Sequence, residues 1–373
     1  MIPAIYYFSS TKYDFLTQRP RQLFGEWRRL CEDDAKIYFI EPFRSELNLR
    51  VHENPFVLRT PFYFYFTKYG LSWLEFINRC FIKRMVERTF QGTRVAIACM
   101  SMWEPYLDKP LFDLICYDYL DALEVYAGAK NFRLLKEHHE RLLAKSDIVF
   151  VTAEKLRQEV IAAYPGKPVV TVSNGVDPAF FRTNRDKLQV SDYRKGVRKV
   201  AGYVGAIYDW IDIPLVHESA SRTPEIDYIM VGPVSEKNRQ FVEDKPSNVY
   251  YLGAKPYTQV PAYVDLFDVA LIPFVKSNIS ESTDPIKLYE YFAIGKPVVS
   301  TRMLQLERFN DGVCLSIADD ADTFAAAIRR FAGEVSMSSA ELCMAVADEN
   351  SWETKALLML SEIEKAFGQG ISK

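Results

Sequence analysis

The sequence predicts an α/β protein made of two Rossmann-like, doubly wound domains, and three observations carry that expectation. Short apolar runs alternate with helical patterns through the first half, the signature of βαβ units on a parallel sheet. A charged stretch without periodicity, 182–198, interrupts this rhythm, and the rhythm then restarts. At 373 residues the chain is also long for one hydrophobic core.

In the first half, strands are expected at Ala4–Phe8, Ala35–Ile40, Val95–Met100, Leu114–Tyr117, Ile148–Thr152 and Val169–Val172, each a short apolar run. A helix from Pro20 to Arg29 opens on proline, whose fixed φ suits a first turn. Further helices are expected at Phe132–Lys145 and Ala153–Ala163. In the second half, Lys199–Val204 ends at Gly205, Asp227–Val231 at Gly232-Pro233, and Val249–Leu252 at Gly253. Val269–Pro273, Pro297–Ser300 and Gly312–Ile317 complete that sheet, with helices at Pro285–Ala293, Thr323–Phe331 and Trp352–Phe367. The expected organisation is therefore a first domain over 1–181, a linker over 182–198, a second domain over 199–351, and a C-terminal helix, 352–373, free to return to the first. Ligands of such sheets bind at the carboxyl ends of the strands, so the site is expected in a cleft where the two domains face each other.

Composition narrows the function classes. A net charge of −3 supplies no global basic field, which argues against a nucleic-acid partner. No run of about twenty apolar residues exists to span a bilayer. The start, Met1 to Phe8, lacks the basic region and long apolar stretch of a secretory signal, so a cytoplasmic protein is expected. Six cysteines lie scattered without a C-x-x-C pair and read as buried thiols of a reducing compartment. His52, His138, His139 and His217 show no metal-ligand spacing. Asp320-Ala-Asp322 precedes a helix, where acids complement the N-terminus, and is not read as a metal site. No metal or cofactor is expected.

Three segments carry more specific information: Asn174-Gly175-Val176-Asp177 after a strand, Gly202-Tyr203-Val204-Gly205 opening the second domain, and the run from Asp284 through Glu290 to Val299. Together they resemble the GT-B glycosyltransferases. Gln18-Arg19-Pro20, Tyr117-Asp118 with Asp121, and Val231-Gly232-Pro233 look more narrowly like a family-4-related group, which includes transferases of bacterial exopolysaccharide and teichuronic-acid assembly. The resemblance covers nearly the whole chain. It implies a nucleotide-diphosphate sugar as donor and co-substrate, and a saccharide or polyprenyl-linked acceptor. Many retaining members carry two glutamates eight positions apart; the second matches Glu290, but Ser282 stands at the earlier position, which leaves the stereochemical course open.

Glycosyl transfer needs a grip on the leaving diphosphate, a nucleoside pocket and a base for the acceptor hydroxyl. Ser282, Thr283 and Asp284 precede the helix at Pro285, where either Thr283 or Asp284 can cap and free amides favour an anion. Lys287 adds a point charge, and Glu290 shares its helical face; the resemblance implies that Glu290 accepts the ribose hydroxyls. The plainer reading of the two is a surface ion pair. Gly205, with Tyr208 in the loop behind it, and Gly232, Pro233 and Tyr257 at neighbouring strand ends are candidate donor contacts, or ordinary strand-to-helix turns. Asp121 is the first choice for the base, with Asp118 and Glu124 as alternatives; Asp121 could equally cap a helix. Arg19 is a candidate for binding an anion or acceptor, or a structural arginine pairing with a strand-end carboxylate such as Glu41.

The stretch 61–90 is rich in aromatic and basic residues. As core, Leu71, Trp73, Leu74, Phe76, Ile77 and Phe81 would pack inward. As an interface, Phe62–Tyr69 with Lys68, Arg79, Lys83, Arg84 and Arg88 would dock on an anionic membrane surface, which suits a lipid-linked acceptor. Two further readings compete with transfer: a nucleotide-sugar epimerase of the same fold, and a non-catalytic pseudo-glycosyltransferase subunit.

Overall fold

A computed structural model describes residues 3–14, 19–31, 36–41, 54–59, 72–126, 132–186, 198–334 and 337–370. The chain divides into two units, one of residues 1–173 with 355–373 and one of residues 174–354. The first unit therefore ends at Ser173 rather than at 181. Asn174 and Val176 already belong to the second unit: the Asn174 amide donates to the Asp284 backbone carbonyl, and the Val176 N–H to that of Asn350. The charged stretch also begins inside a helix, Pro178–Asn184, that Asp177 caps through the Phe180 N–H.

The first unit holds β1 (Ala4–Phe8), β2 (Ile37–Glu41), β3 (Val57–Arg59), β4 (Arg94–Ala98), β5 (Leu114–Tyr119), β6 (Ile148–Val151) and β7 (Val169–Thr171). They form one sheet in the order β3-β2-β1-β4-β5-β6-β7, every pair parallel. All five residues of β1 are buried, because helices cover both faces of such a sheet. Tyr7 packs against Trp27 on one face, and Phe8 against Trp103 and Phe112 on the other. From Lys355 the C-terminal helix Trp352–Gly370 belongs to this unit, where Trp27 donates its indole N–H to the Ala356 carbonyl.

The second unit holds β8 (Lys199–Val204), β9 (Ile226–Val231), β10 (Val249–Tyr251), β11 (Val269–Ile272), β12 (Val298–Ser300) and β13 (Leu315–Ile317). Their order is β10-β9-β8-β11-β12-β13, again all parallel. Both sheets reverse direction of winding once, between β1 and β4 and between β8 and β11. That reversal leaves a crevice at the carboxyl ends, the usual ligand position in open sheets.

The short strand β3 and the helices Val260–Asp265 and Met337–Glu349 were not among the expected elements, while Ser72–Thr89 and Ile213–Arg222 give bounds to helices expected within 61–90 and after Trp210. Ser72–Thr89 corrects the core reading of the aromatic segment. Asn78, Ile82 and Val86, four residues apart, turn inward, whereas Phe76 is 67% exposed and Ile77 and Phe81 are exposed beside it. Cys80 on that outer face is likewise exposed, against the expectation of buried thiols; Cys99, Cys116, Cys314 and Cys343 are buried. Phe62–Tyr69 with Lys68, Leu71 and His52 lie outside the described residues, as do the side chains of Trp73 and Leu74. No described helix is long and apolar enough to cross a membrane.

Candidate functional site

In the second unit five of the sequence-predicted donor residues, Gly205, Gly232, Tyr257, Lys287 and Glu290, are linked by close contacts at and beside the ends of β8 and β9. Gly205 follows β8 and Gly232 follows β9, and the two backbones nearly touch. A Cβ on Gly232 would lie 1.7 Å from the Gly205 carbonyl oxygen, and a Cβ on Gly205 would lie 2.4 Å from the Tyr203 hydroxyl and 3.3 Å from Lys287 Cε. Glycine at these positions is thus a requirement of space, and it brings the Lys287 side chain against the backbone at the carboxyl end of the sheet.

Lys287 and Glu290 lie on the seven-residue helix Ile286–Phe292. The Lys287 ammonium donates to Glu290 Oε2 at 2.6 Å, and the Tyr257 hydroxyl donates to Glu290 Oε1 at 3.2 Å. Glu290 is only 2% exposed, so this is not the surface pair of the plainer reading. Burial, followed by the Glu290 charge, holds the Tyr257 hydroxyl well above the usual tyrosine range. Tyr257 stacks flat on Phe180 at 5.3 Å, which fixes its hydroxyl toward the carboxylate. On the same helix, Tyr291 accepts a hydrogen bond from the Val204 N–H and ties the helix to the end of β8. The result is a buried carboxylate between a cation and a hydroxyl, with the cation's side chain packed against the Gly205 backbone.

The residues preceding this helix behave differently from expectation. Pro285 is the N-cap, and neither Thr283 nor Asp284 caps through its side chain. The Ser282 hydroxyl donates back to the Asn278 carbonyl and that of Thr283 to the Ile279 carbonyl, closing the short helix Asn278–Glu281. Asp284 is buried and accepts from the Asn174 N–H and the Tyr289 hydroxyl. It clasps Asn174 to the helix start. Pro233 accepts through its carbonyl from the Ile207 N–H, and Tyr208 stands exposed on the loop between β8 and the next helix.

In the first unit, Asp118 at the end of β5 is fully buried and takes hydrogen bonds from the Tyr7 hydroxyl and from Arg19 Nε and Nη2. A buried carboxylate with three of its lone-pair sites committed to Tyr7 and Arg19 has little means of meeting an acceptor, which disfavours it as the alternative base. Arg19, 3% exposed, also donates to the Val172 and Ser173 carbonyls. It is therefore the structural arginine of the two readings, but its partner is Asp118; Glu41 instead pairs with Arg59. Asp121 differs from both. Its side chain reaches solvent, and among the described residues no hydrogen bond or ion pair holds its carboxylate. Crowding by surrounding protein raises its pKa, opposed by the nearby Arg19 charge. The 3-10 segment that follows, Leu123–Tyr126, contains the exposed Glu124 and receives no cap from Asp121.

Asp320 accepts from the Thr323 N–H as a helix cap and Asp322 pairs with Arg222. Among the described residues no three His, Cys, Asp or Glu side chains converge as a metal would require. Sequence reasoning missed Asn174–Asp284, Tyr203 and Tyr291. A signal existed for Tyr291 alone, which follows Lys287 by one helical turn.

Residues 198–334 match a protein-family model described as glycosyl transferases group 1. TuaH of Bacillus subtilis (strain 168), whose name assigns it to teichuronic acid biosynthesis as a glycosyltransferase, is 27% identical over 221 residues, 54% of this chain and 55% of that one. The match thus spans about half the length of that relative. Among solved structures, a sucrose-phosphate synthase from Thermosynechococcus elongatus is similar with a TM-score of 0.73 at 14% identity, covering 98% of this chain and 99% of that one. HepE of Anabaena in complex with UDP is similar with a TM-score of 0.67 at 12% identity, covering 97% and 100%. At these identities the structures show the fold, which is GT-B, and the resemblance read from the motifs stands.

Proposed function

We propose that the chain is a glycosyltransferase that moves a hexosyl unit from a nucleotide-diphosphate sugar to a saccharide acceptor, lipid-linked, in bacterial surface polysaccharide assembly. The observation that carries this reading is Glu290, buried between Tyr257 and a Lys287 whose side chain packs against the Gly205 backbone. A carboxylate there accepts from both ribose hydroxyls, while Lys287 turns its charge to the diphosphate. The bond from the anomeric carbon to the diphosphate oxygen breaks, the acceptor oxygen bonds to that carbon, and Asp121 takes the acceptor proton. Lys287 neutralises the departing diphosphate, so the reaction needs no bound metal. The B. subtilis relative supports the polysaccharide setting, and the exposed Phe76, Ile77 and Phe81 with Lys83 and Arg84 support work at an anionic membrane surface.

The test is thermal shift against a panel of nucleotide sugars, because a ligand that binds the native state raises its melting temperature. At least one nucleotide family should stabilise the wild type and fail with Glu290→Gln. Stabilisation by none of them overturns the reading. A second reading, a non-catalytic subunit that holds nucleotide sugar, is favoured by Ser282, whose hydroxyl is spent on the Asn278 carbonyl where retaining relatives carry an acid. It requires binding without turnover, whereas the enzyme should show slow donor hydrolysis that vanishes in Asp121→Ala.

A further inference from the structure

The loop that follows Gly205 carries two aromatic rings that packing does not account for. Ile207 and Ile211 turn inward and are buried, while Tyr208 and Trp210 between them are 36% and 45% exposed, their ring centroids 5.1 Å apart. Large aromatics left in water forgo the stabilisation that burial would bring, and an adjacent pair, tilted 56° to one another, calls for a reason. The loop is not loose. Ile207 bridges to Val234 and Ile211 to Phe274, the Val275 N–H donates to the Trp210 carbonyl at 2.8 Å, and Asp209 pairs with Lys237 at 2.9 Å. The Tyr203 hydroxyl, which lies over Gly205, donates to the carbonyl of Ala206 at the start of the loop. A path of contacts therefore runs from Lys287 through Gly205 and Tyr203 to Ala206, where the loop begins.

We propose that Tyr208 and Trp210 form a stacking platform for a pyranose ring, a saccharide subsite next to the diphosphate position. A pyranose presents a face of C–H groups that packs on an aromatic ring while its hydroxyls stay in water, which a half-exposed pair permits and a closed apolar pocket does not. The fixed backbone holds the rings in place before binding, so little ordering entropy is lost. The inference rests on the donor reading of Lys287 and Glu290 for its position, and two sources could supply the ring: the hexosyl group of the donor or the acceptor saccharide.

The experiment is calorimetric titration of the full chain with UDP, GDP and TDP, each bare and as its hexose conjugate, beside gel retardation through neutral and uronic-acid polysaccharides. The Tyr208→Ala/Trp210→Ala variant should bind the bare diphosphate within about twofold of wild type. It should lose about tenfold for the hexose conjugate if the donor supplies the ring, or lose retardation if the acceptor does. Trp210→Phe, which keeps a ring but not the indole N–H, should retain most of the affinity. Equal loss for bare diphosphate and conjugate, or no loss in either arm, overturns the platform. If the wild type binds no diphosphate in any form, the donor reading fails by itself. The polysaccharide arm then decides the platform alone: retardation that disappears with the two rings supports it, and a wild type that is never retarded, or a variant retarded as strongly, overturns it.

Discussion

Gly232 faces Gly205 so closely that a methyl group on its Cα would sit 1.7 Å from the Gly205 carbonyl oxygen. Its φ of +151° adds to the restriction, since side-chain-bearing residues rarely adopt it. The ends of β8 and β9 are thereby drawn together, with the Gly205 N–H bonded to the Val231 carbonyl and the Gly232 N–H to that of Gly253. Gly232→Ala should therefore push the two strand ends apart, at an expense of about 1–3 kcal/mol, and weaken diphosphate binding at the same time. Thermal melting together with a diphosphate titration checks this. A variant that melts and binds like wild type would show that the rim has room to spare.

Lys287→Ala should weaken diphosphate binding by more than about tenfold without unfolding the protein. It also strands Glu290, leaving a buried carboxylate with Tyr257 as its remaining donor. A fall in Tm of roughly 2–4 °C is expected, as for about 1 kcal/mol in a unit of this size. Adding Glu290→Gln should recover that loss, because the stranded charge is gone, without recovering affinity. Glu290→Gln alone should weaken binding through the ribose. Unchanged diphosphate affinity in both single variants would refute the pocket assignment.

The two sheets and the Lys287–Glu290 pair are legible in the sequence because each is a local pattern, an apolar run or a three-residue helical spacing. Asp118 shows the limit. Tyr117-Asp118-Tyr119 at a strand end looks the same whether the carboxylate meets solvent or a buried arginine, and its partners Tyr7 and Arg19 lie 111 and 99 residues away. Nothing in the spacing announces them. Thr283 and Asp284 fail as caps for a related reason. Their polarity marks a helix boundary, but the choice between capping the next helix, closing the previous one and clasping Asn174 is settled by packing. Which face of the helix Ser72–Thr89 packs was hard to read because, among its described side chains, the buried ones are Asn78, Ile82 and Val86, and aromatics on the outer face blur the periodicity.

Catalysis should persist in excess EDTA. Lys287 supplies the positive charge at the diphosphate, and among the described residues no cluster gathers the oxygen ligands that Mg²⁺ or Mn²⁺ requires. Turnover lost on chelation and restored by either ion would contradict this.

Asp121→Asn should abolish turnover while leaving donor affinity within about twofold of wild type, because the residue acts on the acceptor proton. The base must be ionised to work, so kcat/KM should fall as pH drops through its pKa. Crowding by surrounding protein raises that pKa above the ordinary 3.8, which places the acid limb higher than for an uncrowded aspartate. A pH–rate profile measures the limb. Full activity in the variant, or an acid limb that survives the substitution, would move the base elsewhere, with the exposed Glu124 next to be tested.

The outer face of the helix Ser72–Thr89 should bind anionic membranes. Phe76, Ile77 and Phe81 are exposed together, and Lys83 and Arg84 project from the same helix. Lys83 is only loosely paired, 3.9 Å from Glu87, so its charge remains available to a surface. Each basic residue near an anionic bilayer contributes about 1 kcal/mol, and that part is screened by salt. The aromatic rings add an apolar contribution that salt does not screen. Co-sedimentation with liposomes of rising anionic lipid content should therefore show binding that grows with lipid charge and weakens, without vanishing, at high salt. Lys83→Glu with Arg84→Glu should remove the charge dependence, and Phe76→Ser with Phe81→Ser should remove the salt-resistant remainder. Adding Lys68→Glu extends the test to the neighbouring aromatic segment Phe62–Tyr69. Binding indifferent to lipid charge would refute the electrostatic part, and no binding to any liposome would point to a soluble acceptor.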